Sequence, residues 1–222
     1  MWFVALPERS RAGAPPMPPK NPYKKADNFT KAAKAQGYPA RSVFKLEEID
    51  RRTRLLRQGQ RVLDLGAAPG SWSKYAAEKV GANGRVLAVD LSEIRTVMPP
   101  QVTCVQGDVF ALSDEELSRL GPYDVVLSDM APATTGTRFA DQARSFELFL
   151  RAVEMAERAL KPGGHFVGKI FMSDDFPKAK ERVRLLFSEV RVLRPEATRS
   201  VSYEVFVVGL GRKAAASHAK DA

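Results

Sequence analysis

At 222 residues and 44% apolar composition, the chain can bury one good core but has no room for two full domains. No apolar run reaches the roughly 20 residues of a membrane-spanning helix, and a single cysteine, Cys104, excludes an intrachain disulfide and fits a reducing, cytoplasmic setting. The net charge of +9 is unevenly placed: residues 1–61 hold 14 Lys and Arg against 5 Asp and Glu, while the rest balances at 21 of each. A neutral core behind a basic lead-in reads as an enzyme with a polyanion-binding arm, the alternative being a merely solvated tail.

Residues 1–20 carry Pro7, Pro15, Pro16, Pro18 and Pro19 without periodicity, and we expect them to be disordered. The MWFVAL opening is too short for a signal-peptide apolar core. Residues 21–60 form a basic segment in which Lys24, Lys25, Lys31, Lys34 and Arg41 are interleaved with Tyr23, Phe29 and Tyr38. Cations beside aromatic rings suit phosphate neutralisation and base stacking together, so these five residues are the candidate RNA-binding set. After a Gly37–Tyr38–Pro39 turn, Val43, Leu46, Ile49 and Leu55 give a helix one apolar stripe; Lys45 on it could face the core edge or solvent.

Residues 61–211 then alternate between strand and helix signals. RVLDLG is the first strand and SWSKYAAEKV its helix; GRVLAVDL, VTCVQGDV and YDVVLSDM are strands closing on Asp90, Asp108 and Asp129. A short helix, DEELSRL, takes Ser113 as N-cap. An amphipathic helix over 144–160 turns Phe146, Phe149, Leu150, Val153, Ala156 and Leu160 inward and stops at Lys161–Pro162–Gly163–Gly164. GGHFVGKIF carries Lys169 as strand five, a helix covers 178–187, and EVRVLRP and YEVFVVGLG close the sheet, the last bearing Glu204. From Arg212 to Ala222 we expect a frayed, disordered tail. This order gives a three-layer α/β fold, Rossmann-like, with a mostly parallel seven-stranded sheet and helices on both faces.

The stretch RVLDLGAAPGSWS organises the chain. A strand entering a glycine turn before a helix is a nucleotide-binding opening, with Gly66 and Gly70 letting backbone approach a ligand. Ala68 replaces the third-position glycine of a dinucleotide fingerprint and Pro69 removes a donor, which disfavours a pyrophosphate. Asp64 instead suits a cationic ligand such as the sulfonium and amino group of S-adenosyl-L-methionine (AdoMet). Asp90, about 20 residues past the turn, is placed for ribose hydroxyls. Asp108 and the backbone of Val109 are placed for the adenine amino group. Any one strand-end acid could be an ordinary turn residue; Asp64, Asp90, Asp108 and Asp129 all fall where such sheets bind ligands.

Lys45 in RSVFKL, DLGAAPGSW, SDMAP, GKIF and SYEVFVVG together resemble the FtsJ family of ribose 2′-O-methyltransferases, over about residues 21–211. The bacterial type of that family methylates a uridine in the A-loop of large-subunit ribosomal RNA. The resemblance implies AdoMet as cofactor, no metal, ribosomal RNA within the large subunit as partner, a monomer, and a part in ribosome assembly. It also implies a catalytic tetrad of Lys45, Asp129, Lys169 and Glu204, with Trp72 beside the cofactor. Ser71 stands where many members have a second glycine.

A ribose 2′-hydroxyl is a poor nucleophile and needs help with its proton as it attacks a methyl group in line. Lys169 can act as base, its pKa lowered by Lys45 and raised by Asp129 and Glu204, or it can stay charged and stabilise the alkoxide while the proton leaves late. Cytosine C5 methylation needs a nucleophilic cysteine, and Cys104 inside strand three reads as a core residue. His165 and His218 assemble no metal cluster with it. Three other readings stay open: an assembly factor whose methylation is incidental, a transfer-RNA 2′-O-methyltransferase, and a small-molecule O-methyltransferase, which the basic arm disfavours.

Overall fold

The computed structural model describes residues 22–118 and 121–214. The expectations for residues 1–20 and for the tail beyond 214 fall outside them. The elements are α1 Pro22–Ala35, α2 Val43–Thr53, β1 Arg61–Leu65, α3 Ser71–Val80, β2 Arg85–Asp90, β3 Val102–Gln106, α4 Asp114–Ser118, β4 Tyr123–Ser128, α5 Arg138–Ala159, β5 Leu160–Phe171, α6 Phe176–Leu186, β6 Phe187–Leu193 and β7 Glu204–Arg212.

Among the described residues the strands form one seven-stranded sheet in the order β3-β2-β1-β4-β5-β7-β6. β1 pairs in parallel with both β2 and β4, so the strand order reverses there and a crevice opens beyond Leu65 and Ser128. β7 is inserted antiparallel between β5 and β6, which accounts for the two closing strands of the sequence.

Side chains alternate across the sheet, and the core divides accordingly. Leu63 and Leu65 of β1 join Phe149, Val153 and Ala156 of α5 and Val183 of α6 on one face. Val62, Val125, Val167 and Phe206 meet Leu46 and Ile49 of α2 and Trp72 and Tyr75 of α3 on the other. From Ala33 onward the basic segment is thus no detached arm: Ala33, Tyr38, Val43, Leu46 and Ile49 are all buried in this second cluster. Helix α2 ends at Thr53, with Arg54 in the left-handed region at φ 53°, so Leu55 lies beyond it yet is still buried.

Several boundaries differ from expectation. β3 ends at Gln106, leaving Asp108 in the following loop, and it is an edge strand with a mostly exposed pattern. Cys104 is therefore exposed rather than a core residue. Helix α5 begins at Arg138, because exposed residues in its first turn interrupt the apolar stripe that marked residue 144. Lys161–Pro162–Gly163–Gly164 do not form a coil after the helix but run within β5, with a register shift against β4 between Tyr123 and Val125. Gly164 is needed there: a Cβ would lie 3.0 Å from both Asp124 O and Lys161 O. Helix α6 stops at Leu186 and Phe187 opens β6. The tail does not fray at Arg212: this residue ends β7, and Lys213 N donates to Leu186 O at 2.8 Å.

Candidate active site and cofactor cavity

A cavity of about 620 Å³ opens beyond the carboxyl ends of β1, β2 and β4. Gly66, Ala68, Asp90, Asp108, Val109 and Asp129 line it, with Leu91, Phe110 and Met130 among their neighbours. Four elements thus bring together five of the residues proposed from sequence for the cofactor.

Asp90 is held at both oxygens. Oδ2 accepts from Ala68 N at 2.9 Å and Oδ1 from Ser92 N at 2.7 Å. An ionised carboxylate has about four acceptor sites, so two such bonds fix it and leave capacity for hydroxyl donors. Asp108 accepts from Phe110 N at 2.9 Å, which shapes the loop carrying Val109. From α5, Arg151 reaches the same loop, donating from Nε to Val109 O at 3.1 Å and from its terminal nitrogen to Phe110 O at 3.2 Å. Its guanidinium also lies over the Phe110 ring, 5.8 Å from the centroid. Nothing in the sequence links residues 42 positions apart, and this clamp was not anticipated.

Three of the proposed cofactor residues sit off the cavity wall. Gly70 caps α3 at φ 109°, and a Cβ there would lie 2.0 Å from Met98 Cε. Gly66 does line the cavity, yet a Cβ on it would meet Met130 Cγ at 2.5 Å and Met130 Cα at 3.0 Å. Both glycines have positive φ, 74° at Gly66 and 109° at Gly70, and a Cβ on Gly66 would also crowd the Met130 main chain. Trp72 is buried: its indole donates to Ser42 O at 2.9 Å and tilts against Phe206 at 5.7 Å, fastening α3 to the segment before α2.

Asp64 lies beneath the loop, fully buried. Its Oδ2 accepts from Ser73 Oγ at 2.5 Å, while Oδ1 has no hydrogen-bond partner among the described residues. Burial pushes its carboxyl up to about 7; the Ser73 hydroxyl opposes this, and Asp129 and then Asp90 add to it.

The four residues that the resemblance assigns to a tetrad form two ion pairs, Lys45–Glu204 and Lys169–Asp129. Asp129 follows β4 and Lys169 lies on β5, next to each other because Ser128 pairs with Gly168. Lys169 Nζ donates to Asp129 Oδ1 at 2.8 Å and also to the Asp129 main-chain carbonyl. In the β5–β7 ladder Phe171 opposes Glu204 and Lys169 opposes Phe206, so Lys169 and Glu204 share one face as diagonal neighbours. Helix α2 packs on that face and brings Lys45 into an ion pair with Glu204, its Nζ 5.7 Å from the Phe206 ring centroid. Lys45 thus points along the core edge, not to solvent. Lys169 is only 7% exposed, and Asp129 both pairs with it and lines the cavity.

A second cleft of about 320 Å³ adjoins Lys45 and Glu204, lined also by Arg41, Ser42, Arg199, Val201 and Ser202. Arg41 donates to Ala197 O and stacks on Phe29 at 5.6 Å, so it is tied to the β6–β7 loop rather than to a solvated arm. Partial burial, and then Arg199, pull its guanidinium below the ordinary value, with Glu204 pulling the other way. Lys31 and Lys34 are exposed on α1. Lys24 and Lys25 belong to the same helix, with their side chains outside what is described. No group of His, Cys, Asp and Glu among the described residues is arranged to hold a metal, and no helix among them is long and apolar enough to cross a membrane.

The model of FtsJ-like methyltransferases matches residues 38–212. The chain belongs to this family. It is 70% identical over 197 residues to ribosomal RNA large subunit methyltransferase E of Sorangium cellulosum, covering 89% of this chain and 93% of the relative. The proteins of the same name from Oleidesulfovibrio alaskensis and Bdellovibrio bacteriovorus are 53% and 47% identical, over 84% and 86% of this chain and 92% and 99% of theirs. Among solved structures, a candidate ribosomal RNA methyltransferase from Plasmodium falciparum superposes with a TM-score of 0.70 at 23% identity, over 80% of this chain and 100% of that one. Aeropyrum pernix fibrillarin, solved with bound AdoMet, gives 0.54 at 17% identity, over 70% and 68%. These two establish the fold alone. The chain is an AdoMet-dependent methyltransferase of mostly parallel α/β architecture.

Proposed function

We propose that the chain methylates the 2′-hydroxyl of a uridine in large-subunit ribosomal RNA, within the A-loop, and so assists assembly of that subunit. The observation that carries this reading is the double placement of Asp129, which lines the cavity and accepts a hydrogen bond from Lys169. The names of the similar proteins supply the substrate class.

The cavity fits AdoMet. Its volume is in the range of small-ligand sites, Asp90 can accept from ribose hydroxyls and Asp108 from the adenine amino group, and Asp64 Oδ1 is a buried acceptor with no described partner beneath them. Gly66, Gly70 and Trp72 contribute through the shape and main chain of the loop. AdoMet supplies an electrophilic methyl group. An ammonium has three donors; Asp129 takes two from Lys169, and the third meets the 2′-oxygen as negative charge develops on it. In this arrangement Lys169 donates to the developing alkoxide, and the hydroxyl proton passes to bulk water once the oxygen–methyl bond has formed. Glu204 holds Lys45 at the cleft, where its charge favours the incoming phosphodiester. Lys24, Lys25, Lys31, Lys34 and Arg41 carry the RNA on the α1–α2 side. Residues 21–60 act as the RNA-binding segment and 61–211 as the catalytic core of a cytoplasmic monomer.

Incubation with labelled AdoMet and either free ribosomal RNA or intact large subunits, followed by mapping, tests this. Label on one uridine ribose is expected. Label on a base, on transfer RNA alone, or on neither RNA removes the reading; binding to the subunit without transfer favours an assembly factor.

A further inference from the structure

Next to Glu204 the chain presents a group of planar and apolar side chains, several of them exposed. Phe139, in the first turn of α5, is 82% exposed, and Val201, before β7, is 70% exposed. The Arg138 guanidinium lies over the Tyr203 ring, 5.3 Å from its centroid. The Tyr203 ring meets Phe171 edge-on, at 4.8 Å and 69°. Hydrogen bonds anchor this stack to rigid elements: Phe171 N donates to Ser145 Oγ at 3.0 Å, and Met172 N to Tyr203 O at 2.9 Å. Gln142 of α5 also donates to Met172 O.

We propose that Arg138, Tyr203 and Phe139 form a stacking platform for the unpaired base of the nucleotide being methylated. This rests on the RNA 2′-O-methylation reading above. Tyr203 is the residue before Glu204, and Phe171 opposes Glu204 two positions after Lys169, so the platform borders the tetrad. A ribose held at Lys169 carries its base within reach of that border. One face of the Arg138 guanidinium rests on Tyr203, and because Arg138 is exposed, the other is open to a planar group. Unpaired RNA bases are bound by stacking on aromatic rings and guanidinium planes. A guanidinium already flattened on a tyrosine loses little freedom when a base covers it. The positive charge suits a polyanion, whereas an apolar protein partner would leave Arg138 unmatched.

The test uses a ribosomal RNA fragment containing the mapped nucleotide, and a second fragment abasic at that nucleotide with its 2′-hydroxyl kept. Arg138→Ala/Phe139→Ala should lower kcat/KM on the intact fragment roughly 10- to 100-fold, the effect of losing about one stacked base. Wild type should lose a similar factor on the abasic fragment, and the variant no further factor there. Arg138→Lys, which keeps charge and loses the plane, should fall with the alanine variant, and AdoMet affinity should match wild type in all. Full activity of the double variant, equal losses on both fragments, or full rescue by lysine each overturn the platform. Wild type that methylates neither the intact fragment nor intact large subunits overturns the functional reading itself.

Discussion

Asp64 shows how one buried carboxylate is tuned by its place in the fold. In the unfolded chain it titrates near the ordinary 3.8, and in the fold near 7, chiefly through burial. Between those values the folded state holds a proton that the unfolded state does not. The contribution of Asp64 to stability is therefore full below about pH 4 and is lost as pH rises toward 7. Asp64→Asn cannot titrate. Its stability relative to wild type should improve from pH 4 to pH 7 by at most about 1.4 kcal/mol per pH unit, then level off. Denaturant titrations at several pH values check this; a flat difference would mean that Asp64 stays ionised in the fold. The acid was legible in the sequence as a candidate ligand contact, but its hydrogen bond to Ser73 beneath the loop was not. Strand alternation points it at Ser73 on the α2–α3 face, a fact visible only once α3 is packed. Lys45 went the other way. Helical spacing left it between core edge and solvent, and only the neighbouring β7 supplies Glu204.

At the scale of elements, α5 positions both walls of the site. Asp141 in its first turn accepts from Thr135 N at 2.8 Å, which orders the loop after Asp129, and Ser145 holds Phe171. Four residues further along, Phe149 is core, and Arg151 clamps the Val109–Phe110 loop. Arg151→Met keeps the length of the side chain and removes the two hydrogen bonds. AdoMet affinity should then weaken about tenfold, with RNA affinity unchanged. Calorimetry with AdoMet and filter binding with RNA separate the two, and an unchanged AdoMet affinity would show that the loop holds its shape without Arg151. Asp90, Asp108 and Asp129 could be read from a one-dimensional pattern because residues at or just past a parallel strand's carboxyl end border the crevice: Asp90 ends β2, and Asp108 and Asp129 follow β3 and β4. Cys104 could not be read in the same way. An apolar run looks alike in a central strand and an edge strand, and the place of β3 at the sheet's margin depends on the whole topology.

For the molecule as a whole, the charge split between residues 1–61 and the rest is a claim about RNA affinity. Lys31 and Lys34 stand exposed on α1, on the side of the chain that carries the excess. If both meet phosphates, replacing them together by alanine should reduce the slope of log affinity against log salt by about 1.5, without altering AdoMet affinity. An unchanged slope would make α1 a solvated face and leave recognition to the cleft at Arg41 and Arg199. The fold was legible almost entire, since alternating strands and helices admit few arrangements, whereas the identity of β7 as the reversed strand comes from its pairing with β5 and β6. The cavity was legible where strand ends line it and not where loops meet, as at Met130 and Phe110.

The central claim is that Lys169, held by Asp129, serves the chemistry while the cavity beside it serves the cofactor. Single-turnover methylation by Lys169→Met at saturating AdoMet tests it most directly, with AdoMet affinity measured on the same protein. The rate should fall by roughly 10²- to 10⁴-fold, the usual effect of removing a group that acts on the transferred proton or on the charge it leaves. AdoMet affinity should stay at the wild-type value. A near-normal rate, or a loss of rate matched by an equal loss of AdoMet binding, would contradict the account.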